Sequence, residues 1–99
     1  MNTLEKSLVH LAHYLDAKKI PYMIIGGVAN LFWGIPRTTL DIDVTVHVSP
    51  EAVKGLIRMM GKQFRFRVKN PSAFLTQTSV LPLCDKTGIR IDLILNIKF

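Results

Sequence analysis

Ninety-nine residues, 48% of them hydrophobic and 20% charged, suit one globular domain (residues 1–99) with a real core and leave no room for two. That balance excludes an intrinsically disordered chain, and no apolar run approaches the length that spans a bilayer. The formal net charge of +6 suggests attraction to polyanions such as nucleotides or nucleic acid, while the single cysteine, Cys84, excludes an internal disulfide and agrees with a reducing compartment.

The opening Met-Asn-Thr-Leu-Glu-Lys-Ser-Leu has acidic and polar residues where a signal peptide needs a basic patch and an apolar core, so a cytoplasmic location is expected. Thr3 is placed to cap a first helix, in which Leu4, Leu8, Leu11, Ala12 and Leu15 recur at helical spacing. Lys18 and Lys19 suit its C-terminal end, and Pro21 stops it. Tyr22-Met23-Ile24-Ile25 reads as a short buried strand. Gly26-Gly27 then turns the chain into a second helix from Val28 to about Trp33, closed by Gly34 and Pro36. A strand follows over about Asp41–Val48. Ser49-Pro50-Glu51 has a cap, a proline and an acid in the order that starts a helix, which should run to about Met60. Phe64, Phe66 and Val68 alternate with Arg65 and Arg67, as in a strand with one wet face. A short helix is expected around Ser72–Leu75, capped by Asn70 or Ser72. Val80–Cys84 and Ile89–Leu95 flank Asp85-Lys86-Thr87-Gly88, a hairpin turn. The alternation with a closing hairpin predicts an α/β (α+β) domain, a mixed sheet flanked by helices. The strands Tyr22–Ile25 and Asp41–Val48 are expected to be neighbours, with Asp92 supplied by the last strand of the same sheet. The chain stops at Phe99 without a closing helix, so the domain is either minimal or a piece of something longer.

Asp41 and Asp43 carry the sharpest chemical signal. With one residue between them on Leu-Asp-Ile-Asp-Val-Thr-Val, they share one face of a strand, while Ile42 and Val44 point to the core. Two like charges side by side cost stability unless a cation neutralises them. Hard oxygen ligands on one rigid element suit a divalent metal. The bland alternative is a turn or cap aspartate beside a solvated one. Asp92, within Ile-Arg-Ile-Asp-Leu-Ile-Leu, is a candidate third carboxylate or the partner of Arg90, two residues away on the same face. Gly26-Gly27 either is a plain strand-to-helix turn or lets backbone N–H groups approach phosphate oxygens. Arg37 is a structural contact to the aspartate loop or a phosphate clamp. His47 falls on the face of Asp41 and Asp43 but too far along to join them. His10 and His13 read as surface residues, and Met59-Met60 and Cys84 as packing.

Gly26-Gly27, then thirteen residues, then Asp41-Ile42-Asp43 resembles the signature of the polymerase-beta-like nucleotidyltransferase superfamily. The longer stretch Ile-Gly-Gly-Val-Ala-Asn-Leu-Phe-Trp-Gly-Ile-Pro-Arg-Thr-Thr-Leu-Asp-Ile-Asp-Val is similar to its minimal members, including AbiEii-like toxins of toxin–antitoxin systems. The resemblance covers residues 20–48. It implies transfer of a nucleoside monophosphate from an NTP, ATP among them, to a hydroxyl of RNA such as a tRNA end, of a protein or of a small molecule. It further implies two Mg²⁺ ions on Asp41, Asp43 and Asp92, and a triphosphate held by Gly26, Gly27 and Arg37. Two readings of other kinds stand beside it: a catalytically silent binding module of a toxin–antitoxin pair, and a metal-independent phosphate- or nucleic-acid-binding domain using the basic stretch Lys62–Lys69.

Overall fold

The computed structural model describes residues 3–25 and 41–97. Its elements are α1 (Thr3–Ala17), β1 (Tyr22–Ile25), β2 (Asp41–Val48), a 3-10 turn (Pro50–Ala52), α2 (Val53–Gln63), β3 (Arg65–Phe66), α3 (Pro71–Thr78), β4 (Val80–Cys84) and β5 (Arg90–Ile97). The strands form one mixed sheet in the order β1-β2-β5-β4-β3. Only β2 and β5 run parallel; the other neighbouring pairs are antiparallel. The expected mixed α/β architecture is therefore present among the described residues. The expected helix Val28–Trp33 lies outside them.

Period-two alternation decides which face is core. Ile42, Val44 and Val46 on β2, Ile91 and Leu93 on β5, and Leu81 and Leu83 on β4 are fully buried. Leu4, Leu11 and Leu15 of α1 and Leu56 and Met60 of α2 join them in one cluster. The intervening residues of β2 (Asp41, Asp43, Thr45, His47) and of β5 (Arg90, Asp92, Ile94) are half-buried on the opposite face. Each parallel strand thus divides its side chains between an apolar core and a polar sheet surface.

Local signals set several boundaries and shifted others. The Asn70 side chain accepts from the Ala73 N–H and caps α3, which runs to Thr78, one residue before Ser79 in the left-handed conformation. Ser49 makes no side-chain cap, and Pro50–Ala52 forms a tighter turn before α2. The strand expected from Phe64 to Val68 shrinks to Arg65–Phe66, because it pairs only with Leu83 and Cys84 at the sheet edge.

The β4–β5 turn is tied by Asp85, whose carboxylate accepts from the Thr87 N–H at 2.9 Å, the Thr87 hydroxyl at 2.6 Å and the Ile89 N–H at 3.1 Å. Gly88 supplies the positive φ of 90° that the turn requires. Partial burial pushes the Asp85 carboxyl up, but hydrogen bonds from the Ser7 and Thr87 side chains and the Ile89 and Thr87 backbone outweigh it and hold it below the usual carboxylate range. A folded value below the unfolded one gives stability that is present above the unfolded pKa, about 4, and lost as the pH falls through the folded value. Asp85→Ala is expected to cost about 1–2 kcal/mol at neutral pH in urea unfolding. It should also flatten the dependence of stability on pH below about pH 4. An unchanged acid limb in the variant would remove Asp85 from that role.

Candidate active site

Parallel pairing of β2 with β5 sets Asp43 directly opposite Asp92, and Asp41 opposite Arg90. Neighbouring strands lie about 4.8 Å apart, so the Asp43 and Asp92 side chains leave adjacent backbones on the same face. Asp41 stands two residues along β2 from Asp43, on that face again. Register therefore brings the three aspartates singled out in the sequence onto one small patch of sheet. β1 ends at Ile25, opposite Asp43. Gly26, Gly27 and Arg37, together with Asn30, Trp33, Thr38 and Thr39, lie outside the described residues.

Arginines neutralise the patch. The Nε of Arg90 donates to Asp41 Oδ1 at 2.8 Å. The Arg67 guanidinium donates to Asp92 Oδ1. Of the two alternatives for Asp92, this removes the one in which Arg90 is its partner. Residues two apart on a strand are separated by nearly 7 Å, whereas cross-strand neighbours are about 5 Å apart, so Arg90 reaches Asp41 first. Arg67 arrives from the other edge of the sheet, where its backbone N–H binds the Pro82 carbonyl and Pro82 pairs with Asp92. The only sequence signal for Arg67 was its place on the wet side of the Phe64–Val68 alternation. The side chains of these pairs are 27–41% exposed, so each is worth about 1 kcal/mol or less.

Two cations held on Asp41 and Asp92 show that the patch attracts positive charge, and its donors are carboxylate oxygens of the kind that Mg²⁺ takes. The donor chemistry and the register fit a hard divalent ion. The side-chain arrangement is directed to arginine instead: among the described residues, no three His, Cys, Asp or Glu side chains gather closely enough to hold a metal. His47 shares the face, as expected, and pairs through Nδ1 with the Asn96 amide at 3.2 Å.

Beside Asp92 and Arg67 lies a hollow of about 340 Å³, with Val68, Phe74, Val80 and Pro82 among its walls. It gives the patch an apolar flank that no sequence motif announced, because its walls come from three separate segments. Among the described residues, no helix is long and apolar enough to cross a membrane. No protein-family model matches the chain, and comparison with curated proteins finds no match.

Proposed function

We propose that this domain is a metal-dependent nucleotidyltransferase. The observation that carries the reading is the placement of Asp43 opposite Asp92, with Asp41 one step along the same face. Like charges directly opposite across two strands are unfavourable. Their presence on an otherwise well-paired sheet suits a site that must hold a cation. In this reading Asp41, Asp43 and Asp92 hold Mg²⁺, and Gly26, Gly27 and Arg37 take the triphosphate. An Mg²⁺ ion held by these carboxylates would supply Lewis acidity toward the phosphoryl group and the attacking hydroxyl. Asp92, released by Arg67, accepts a hydrogen bond from the acceptor hydroxyl and favours its deprotonation. The acceptor oxygen then bonds to the α-phosphorus, and pyrophosphate leaves. Arg67 and Arg90, once displaced from the carboxylates, are free to face the phosphates with their planar donor forks.

The arginines favour one second reading: a catalytically silent module in which guanidinium groups stand permanently where a metal would. The two readings separate in a titration. In the enzyme, Mg²⁺ and Arg67 compete for Asp92, so Arg67→Ala should tighten Mg²⁺ binding by roughly fivefold, the worth of about 1 kcal/mol, in calorimetry with an NTP present. In the silent module neither protein takes up Mg²⁺. Incubation of the purified protein with Mg²⁺, radiolabelled NTPs and a cell extract should label one class of macromolecule. The reading is lost if no label moves and neither Mg²⁺ nor NTP binds.

A further inference from the structure

The Lys62–Lys69 stretch, continuous in sequence, is divided by the fold. Arg67 turns to the aspartate patch, while Lys62 and Arg65 join cations from distant segments around a different depression. One cleft of about 290 Å³ lies between the first turns of α1, the end of α2 and the β4–β5 turn, and includes Lys6, Ser7, His10 and Thr87 in its lining. A second, of about 350 Å³, includes Lys62, Arg65, Cys84 and Gly88. They share Gln63, Phe64, Asp85 and Lys86 in their linings, and so adjoin along one grooved face.

We propose that this groove binds a single strand of nucleic acid along its phosphate backbone. The inference goes beyond the transferase reading and holds whether or not the aspartate patch turns over substrate. Four permanent cations, Lys6, Lys62, Arg65 and Lys86, line it against one carboxylate, Asp85, whose oxygen is engaged by the turn it organises. The four cations are exposed, so their charge is available to a ligand. Lys6 lines the first hollow, Lys62 and Arg65 the second and Lys86 both, a division that suits a polyanionic chain better than a lone phosphate. Phe64 is buried in the lining, and the exposed His10 ring meets it in a T-shaped contact with centroids 6.3 Å apart, which places an exposed aromatic ring beside the cations for a base to stack on. The described hydrophobics that are large and exposed, Val9 and Met23, lie outside the groove, so this face offers no apolar wedge to a membrane.

The test uses a fluorescent oligouridine and the full chain in polarisation measurements across a salt series. A Lys6→Ala/Lys62→Ala/Lys86→Ala variant should bind at least tenfold more weakly at low salt. Its slope of log affinity against log salt should fall by about 2, as expected for three lost phosphate contacts on a single strand. A control with the same charge loss away from the groove, Lys18→Ala/Lys54→Ala/Arg58→Ala, should retain most of the affinity. The titration is run without Mg²⁺ or NTP, which separates this result from the fate of the transferase reading. Circular dichroism and thermal melting of both triple variants guard against unfolding. The proposal is overturned if the groove variant binds like the parent or if the control loses as much as the groove variant. Displacement of the RNA by polyglutamate at equal charge concentration would likewise overturn it, by assigning the groove to acidic peptides.

Discussion

Asp43→Ala is expected to reduce nucleotidyl transfer on the order of 10³-fold or more while leaving the domain folded. The two halves of that result have separate physical causes. Asp43 stands at the centre of the patch, between Asp41 on its own strand and Asp92 directly across on β5. A divalent ion that bridges phosphate oxygens contributes several kcal/mol of transition-state stabilisation, and each 1.36 kcal/mol is tenfold in rate. Loss of the central carboxylate weakens that ion's hold from both sides. Stability should move little, because Asp43 is half-buried on the polar face of the sheet and outside its apolar core. A urea midpoint within about 0.5 kcal/mol of the parent, or above it, is expected. Transfer activity that survived Asp43→Ala would end the metal-dependent reading, in which Asp43 is the central ligand. A large loss of stability would instead mark Asp43 as a structural residue of the strand pair.

The second large effect concerns the strand that carries Asp92. Leu93 is fully buried and stands between Val44 of β2 and Leu81 of β4, themselves fully buried. Leu93→Ala should cost about 3–5 kcal/mol, from lost transfer free energy and the cavity that a sheet paired on both sides cannot close. A domain of this size has only about 5–15 kcal/mol in total, so the variant is expected to unfold partly near 37 °C. The neighbouring Ile94→Ala, on the half-buried polar face, should cost about 1 kcal/mol. Urea midpoints with unchanged m-values would measure both. Equal costs at the two positions would contradict the division of β5 into a core face and a site face.

That division was legible in the residues themselves. Asp41-Ile42-Asp43-Val44 and Arg90-Ile91-Asp92-Leu93 alternate polar with apolar, and β2 has the bounds expected for it, Asp41–Val48. The hairpin was equally plain, since Asp85 and Gly88 act through bonds within four residues. Short-range signals failed where an edge was involved. Phe64–Val68 has a strand's alternation, yet only Arg65 and Phe66 pair in the ladder; the next partner, Pro82, accepts from the Arg67 N–H but has no N–H to return. Such signals left the partner of Asp92 open between a metal and Arg90, and Arg90 pairs instead with Asp41 on the strand beside it.

The sequence by itself determined the class of the fold, most of the described elements, the buried face of each central strand and the three aspartates as a group of interest. Those properties depend on period, caps and turns, which act over a few residues. The tertiary structure decided that β2 and β5 are parallel neighbours in a register that puts Asp43 against Asp92. It also decided that Arg67 and Arg90 hold the flanking carboxylates, and that Lys6, Lys62, Arg65 and Lys86 line a common groove. Such contacts join residues up to 80 positions apart, and no local periodicity encodes them. They follow from burying the apolar faces of the three described helices and five strands together, which sets the strand order and register that bring these charges side by side.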